Sequence, residues 1–173
     1  MKYKVLIVDD SSSICKTLKN LIENDFDINI YIAKSMKESA NLLLQEKGKF
    51  DVILADLGLP DAPDGEVIDF LSKFSIPIVV LTGSENIDIE EKFRDKNIVD
   101  YIIKDGLSAL TYATSIVRRI IHNKNVKVLV VDDSKTFVEK TIALLNRYKI
   151  HALSAFDGDE ALDVLKQNND IKI

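Results

Sequence analysis

Short apolar runs rich in valine and isoleucine recur along the chain, at residues 5–8, 52–55, 76–81 and 99–103. Each is apolar at successive positions and so on both faces, the pattern of a strand buried on both sides. Between these runs the apolar residues fall at helical spacing. Ile14, Leu18, Leu21 and Ile22 follow i, i+4, i+7, i+8, and Met36, Ala40, Leu43 and Leu44 repeat it. Leu110, Ala113, Val117, Ile120 and Ile121 trace a third amphipathic face, and Val67, Ile68 and Leu71 a shorter one. A further helix around 87–93 is short and acidic. Strands alternating with helices predict an α/β fold, a parallel sheet covered by helices. Five such units fit between Lys2 and about His122.

A second copy then begins. The stretch Lys4-Val5-Leu6-Ile7-Val8-Asp9-Asp10-Ser11 returns as Lys127-Val128-Leu129-Val130-Val131-Asp132-Asp133-Ser134, displaced by 123 positions. Ile14, Leu21 and Ile22 match Phe137, Leu144 and Leu145; Glu38 and Leu43 match Glu160 and Leu165 with one residue lost between. Internal repetition marks a repeated structural unit. Residues 1–122 read as one complete domain and 126–173 as strand, helix, strand, helix of another. The joint at 122–125 has no Pro/Gly/Ser linker, so the last helix of the first unit is expected to run almost straight into the second. A half-unit leaves its first strand short of a neighbour. The expectation is a fragment of a longer protein with two complete copies.

Charge and composition narrow the function. With 23 basic and 28 acidic residues the net charge is −5, which offers no electrostatic footprint for nucleic acid or anionic membrane. One cysteine, Cys15, excludes an internal disulfide and fits a reducing compartment. No apolar run approaches the ~20 residues of a membrane helix, and the four apolar residues before Asp9 are too few for a secretory signal. The expected location is cytoplasmic.

In an open parallel sheet, ligands collect at the carboxyl ends of the strands. There the first unit places Asp9 and Asp10 after strand one, Asp56 after strand three, Thr82 after strand four and Lys104 after strand five. In a 2-1-3-4-5 order strands one and three are neighbours, which brings three carboxylates together. Their repulsion is relieved by a bound cation, and oxygen-only donors favour a hard ion such as Mg²⁺. An ionised aspartate needs no general base to attack phosphorus. A divalent ion, an ammonium and a hydroxyl neutralise the oxygens of a transferring phosphoryl group.

Residues 1–122 resemble the receiver domain of two-component response regulators over their whole length. The family's acidic pair matches Asp9 and Asp10, its phosphoaccepting aspartate Asp56, its hydroxyl residue Thr82, its lysine Lys104 and its aromatic switch position Tyr101. The resemblance implies a flavodoxin-like doubly wound sheet and Mg²⁺ held by Asp10, Asp56 and the backbone carbonyl of Gly58, with Asp9 acting largely through water. It implies a histidine kinase or phosphotransfer protein as donor. It also implies Thr82 and Lys104 on the phosphate, and Thr82 and Tyr101 moving inward to remodel the face of the fourth helix, fifth strand and fifth helix. A homodimer through that face and a C-terminal output domain such as a diguanylate cyclase are family expectations. Phosphorylation and hydrolysis would be the domain's own, with no separate metabolite turned over.

Three positions depart from the family pattern. Asp105 stands where proline usually follows the lysine, the loop 57–65 is one residue longer than common, and Gly58 offers no side chain. Two other functions fit parts of the pattern. A Mg²⁺-dependent aspartyl phosphohydrolase commonly carries a second acid two residues after its nucleophile, where Gly58 stands. A non-phosphorylated pseudo-receiver would not need the full set of Asp9, Asp10, Asp56, Thr82 and Lys104. Simpler roles stand beside these: the Asp pair as a helix cap, Tyr101 as packing, Cys15 as core, and Arg118, Arg119, His122 and Lys124 as cations complementing a helix C-terminus. Asp61, Asp64 and Gly65 read as turn chemistry, and 85–91 as a solvated helix face. The second copy repeats only Asp132 and Asp133 of the set, and its expected role is an interface or a rigid extension.

Overall fold

The computed structural model describes residues 3–23, 28–83, 93 and 96–172. It divides into two units, Met1–Arg118 and Arg119–Ile173. The first unit holds strands β1 (Tyr3–Val8), β2 (Ile28–Ala33), β3 (Val52–Asp56), β4 (Ile78–Thr82) and β5 (Ile98–Ile103). Helices α1 (Ser12–Glu23), α2 (Met36–Gln45), α3 (Glu66–Leu71) and α4 (Gly106–Asn123) accompany them, and the division between units falls within α4. The sheet is parallel, in the order β2-β1-β3-β4-β5.

Burial explains why the central strands show no alternation. Val5 to Val8, Val52 to Ala55 and Ile78 to Leu81 are inaccessible to solvent, so both faces of β1, β3 and β4 must be apolar. The edge strand β2 is only half-buried, and its mixed sequence INIYIA carries no comparable run. The run at 76–81 enters the sheet two residues late. Pro77 has no N–H to give a ladder, and its carbonyl accepts from Ile53 N at 2.9 Å before β4 starts at Ile78. Helix α1 buries Cys15, Leu18 and Ile22, and α4 buries Leu110, Ala113, Ile116 and Val117. The helix expected around 87–93 and the acidic stretch 85–91 lie outside the described residues, apart from Phe93, which is buried in the core.

The register keeps the carboxyl ends of the strands level. Val8 pairs with Ala33 on one side and Ala55 on the other, Asp56 with Leu81, and Thr82 with Ile103. Residues just beyond these pairs therefore share one rim of the sheet.

The second unit holds β6 (Lys127–Val131), α5 (Lys135–Arg147), β7 (His151–Ala155) and α6 (Gly158–Gln167). The strands form a parallel two-stranded sheet, Lys127 opposite His151 and Val131 opposite Ala155. Its helices start as those of the first unit do. In the first unit Ser35 accepts from Glu38 N at 3.1 Å while Glu38 accepts from Lys34 N at 2.8 Å. In the second, Asp157 accepts from Glu160 N at 2.8 Å while Glu160 accepts from Phe156 N at 2.7 Å. Each pair is a variant of the capping box, in which the glutamate takes the amide of the residue just before the cap. No helix among the described residues is long and apolar enough to cross a membrane.

Candidate functional site

Each candidate side chain is set by the end of an apolar strand. Asp9 N donates to Ala33 O at 3.0 Å, carrying the β1–β2 ladder one residue past β1 and drawing Asp9 under the rim. Its carboxylate is fully buried: Oδ1 accepts from Ser11 N at 2.8 Å and Oδ2 from Lys104 Nζ at 3.2 Å. Asp56 closes β3 and is 5% exposed. Its Oδ2 accepts from Lys104 Nζ at 2.7 Å and its Oδ1 from Gly58 N at 3.3 Å. Lys104 N donates to Thr82 O at 2.7 Å, which ties the two neighbouring strand ends together. Asp10 is exposed at the mouth.

One carboxylate oxygen from each of Asp9, Asp10 and Asp56 lies within 4.8 Å of the others. Three carboxylates face one ammonium, a formal excess of two negative charges when all are ionised. Burial pushes the Asp9 carboxyl above its ordinary range, and the Asp56 charge adds to this; the Lys104 charge and the Ser11 N–H pull it back only in part. Burial alone would lower the Lys104 ammonium, but its hydrogen bond to Asp56 and the charges of Asp9 and Asp56 outweigh it and hold it above the usual lysine range. An all-oxygen, electronegative pocket fits a small hard divalent cation.

Asp9, Asp10, Asp56 and Lys104 thus meet in one pocket, with Thr82 at the adjoining strand end. Gly58 follows one residue after Leu57, whose N–H donates to Leu81 O at 2.9 Å. Tyr101 lies opposite Val80, packs against the core and buries its hydroxyl. Its neighbour Asp100 accepts from Tyr101 N at 2.8 Å and from Tyr112 Oη at 2.9 Å. No peptide bond among the described residues is cis. The Asp105 N–H, a donor that proline would lack, donates to Ile103 O at 2.8 Å, and Gly106 turns the chain into α4 with φ +75°.

Two residues around the rim were not singled out from the sequence in these roles. Lys34 Nζ donates to Ser12 Oγ at 2.7 Å, joining the loop after β2 to the start of α1. Asp61 is more than turn chemistry: its carboxylate accepts from Met36 N at 2.9 Å and Lys37 N at 3.1 Å, the first two amides of α2. Sequence spacing gives no sign of either contact, because each joins loops brought together only by the sheet.

The family model for the response regulator receiver domain matches residues 5–113. The chain belongs to this family. As a receiver it serves phosphorelay signal transduction. It is 31% identical over 106 residues to the cell cycle transcriptional regulator CtrA of Caulobacter vibrioides, covering 58% of this chain and 43% of that protein. It is 32% identical over 125 residues to the cell cycle response regulator CtrA of Brucella ovis, covering 67% and 50%. The chain therefore spans half or less of the length of these relatives. Among solved structures, a putative two-component system response regulator/GGDEF domain protein superposes with TM-score 0.90 at 34% identity, over 98% of this chain and 68% of that one. The phosphorylated cyanobacterial phytochrome response regulator RcpA superposes with TM-score 0.59 at 25% identity, over 69% and 94%.

Proposed function

We propose that Asp56 of this receiver accepts a phosphoryl group from a histidine kinase or phosphotransfer protein, and that the modification switches the surface around β5 and α4. The observation that carries this reading is the Lys104 ammonium 2.7 Å from Asp56 Oδ2, in a pocket shared with Asp9 and Asp10. An ionised Asp56 oxygen forms the bond to phosphorus while the donor's bond to phosphorus breaks. Lys104 stabilises the charge of the transferred group, and the Thr82 hydroxyl supplies a further contact. Asp10, Asp56 and the Gly58 carbonyl would hold Mg²⁺, with Asp9 behind them through water; the ion supplies charge neutralisation at the phosphoryl oxygens. Tyr101 is assigned the reporter's role, its position biased by the state of Asp56. No separate metabolite is turned over.

The second unit is read as the N-terminal half of another receiver. Three bonds support this. Asp132 N donates to Ala155 O at 3.3 Å as Asp9 N does to Ala33 O; Ser134 N donates to Asp132 Oδ1 at 2.9 Å as Ser11 N does to Asp9; and Lys172 N donates to Lys127 O at 3.0 Å as Asp51 N does to Lys4 O at 2.8 Å. Val131 and Leu165 are 48% and 43% exposed, whereas their counterparts Val8 and Leu43 are buried at 0% and 1%, so apolar positions that are buried within the first unit are open in this one. Residues 126–173 hold no counterpart of Asp56, Thr82 or Lys104, and phosphoacceptance is assigned to the first unit. An output domain and a homodimer belong to the same proposal.

The test is incubation with Mg²⁺ and acetyl phosphate or beryllofluoride, read by intact mass and by NMR. The reading expects an adduct that Asp56→Asn abolishes. Steady phosphate release from many esters would instead mark a phosphohydrolase, and no response would mark a binding module without phosphoryl chemistry.

A further inference from the structure

The loop after β3 is held at three points. Leu59 and Ala62, both buried at 1%, exchange backbone bonds of 3.2 and 3.0 Å, so Pro60 and Asp61 form the two central residues of a tight turn. Between Asp56 and this turn lie only Leu57, bonded to β4, and Gly58. Gly58 has no side chain to anchor it, and a Cβ there would meet only the Pro63 carbonyl, at 4.0 Å. The third hold is Asp61. Its two carboxylate oxygens take the Met36 and Lys37 amides, donors that no residue of α2 satisfies. A carboxylate at a helix N-terminus also meets the positive end of the helix dipole.

We propose that Asp61 is a positioning residue for the cation site: by clamping the turn 59–62 onto α2, it fixes where the Gly58 carbonyl stands relative to Asp56. This rests on the reading of Gly58 and Asp56 as cation ligands. Without this hold, the segment that carries Gly58 would have more conformations to lose on binding. The clamp removes them before the cation arrives, and a preorganised site binds more tightly than one ordered on binding.

Two variants of the 173-residue chain separate this role from simple helix capping. Asp61→Ala removes the clamp, and Ser35→Ala removes a cap from the same helix without touching the loop. Mg²⁺ alone is titrated and followed by amide chemical shifts, with hydrogen exchange at Met36 and Lys37 measured in parallel. Asp61→Ala is expected to raise the exchange of both amides and weaken Mg²⁺ about tenfold, in the range of losses for residues that support metal ligands. Asp61→Asn, which keeps one acceptor oxygen, should recover part of the affinity. Ser35→Ala should leave the affinity within a factor of about two. If Asp61→Ala binds Mg²⁺ as tightly as the unaltered chain, or if Ser35→Ala weakens it equally, the clamp is overturned and the assignment of Asp56 stands. If the unaltered chain binds no Mg²⁺, both readings fall.

Discussion

Lys104 Nζ donates to Asp56 Oδ2 at 2.7 Å across 48 residues of chain, and the same ammonium reaches the buried Asp9 at 3.2 Å. A single cation thus holds together the ends of β1, β3 and β5 before any ligand is bound.

Lys104→Met leaves Asp9 and Asp56 facing each other without their counter-ion. Breaking a buried pair by deleting one partner costs about 3–5 kcal/mol; some exposure of Lys104 reduces this to an expected 1–3 kcal/mol or so. Millimolar Mg²⁺ should recover more stability in the variant than in the parent, since the pocket is more negative. Urea unfolding with EDTA and with Mg²⁺ measures both quantities. Equal recovery in the two proteins would show that the cation does not use this pocket.

Asp9 sets a pH signature in the metal-free chain. Its carboxyl is raised in the folded state, so the folded chain binds a proton more tightly than the unfolded one. Between the ordinary aspartate value and the raised one, stability therefore falls as pH rises. Asp9→Asn should remove that slope. Denaturation midpoints from pH 3.5 to about 7 in EDTA, parent against variant, read the difference.

The Cys15 thiol is 3% exposed, donates to Asp9 O at 3.2 Å, and is pushed up to about 11, chiefly by burial. Alkylation by iodoacetamide at pH 8 should be slow in the native chain and reach the rate of a free thiol only in denaturant. Its linkage has a definite sign: the stability contribution is present below about pH 9 and declines as pH rises from there through about 11.

Two glycines with the same backbone sign should respond differently to alanine. Gly65 has φ +82°, and an added Cβ would stand 3.0 Å from Leu57 Cδ1 and 3.1 Å from Phe93 Cζ. Gly106 has φ +75° with nothing within 4 Å. Gly106→Ala is expected to cost about 1 kcal/mol from conformation alone, and Gly65→Ala about 2–4 kcal/mol, because the half-buried Leu57 and the buried Phe93 must also shift. Thermal unfolding of the pair checks the order.

The sequence makes β1, β3 and β4 plain because a strand buried on both faces has to be apolar at every position. It hides β2, whose edge position tolerates Asn29 and the partly exposed Ile32. The pocket was legible for a related reason: Asp9, Asp56, Thr82 and Lys104 each break an apolar run at its carboxyl end. Asp61 was not, because its partners are backbone amides on another element, and amides leave no letter in the sequence. The orientation of Tyr101 was equally closed to reading, since an aromatic on an edge strand fits an inward or an outward ring.

The two capping boxes use different residues for one task. Lys34-Ser35 and Phe156-Asp157 share no side chain, yet both satisfy the same pair of amides together with a glutamate three positions after the cap. Several side chains can meet one unchanging demand of the main chain, and the two units use different ones. Likeness between the two helix starts is therefore better measured by their donors and acceptors than by matching letters, and exchanging Ser35 and Asp157 should leave both helix starts in place.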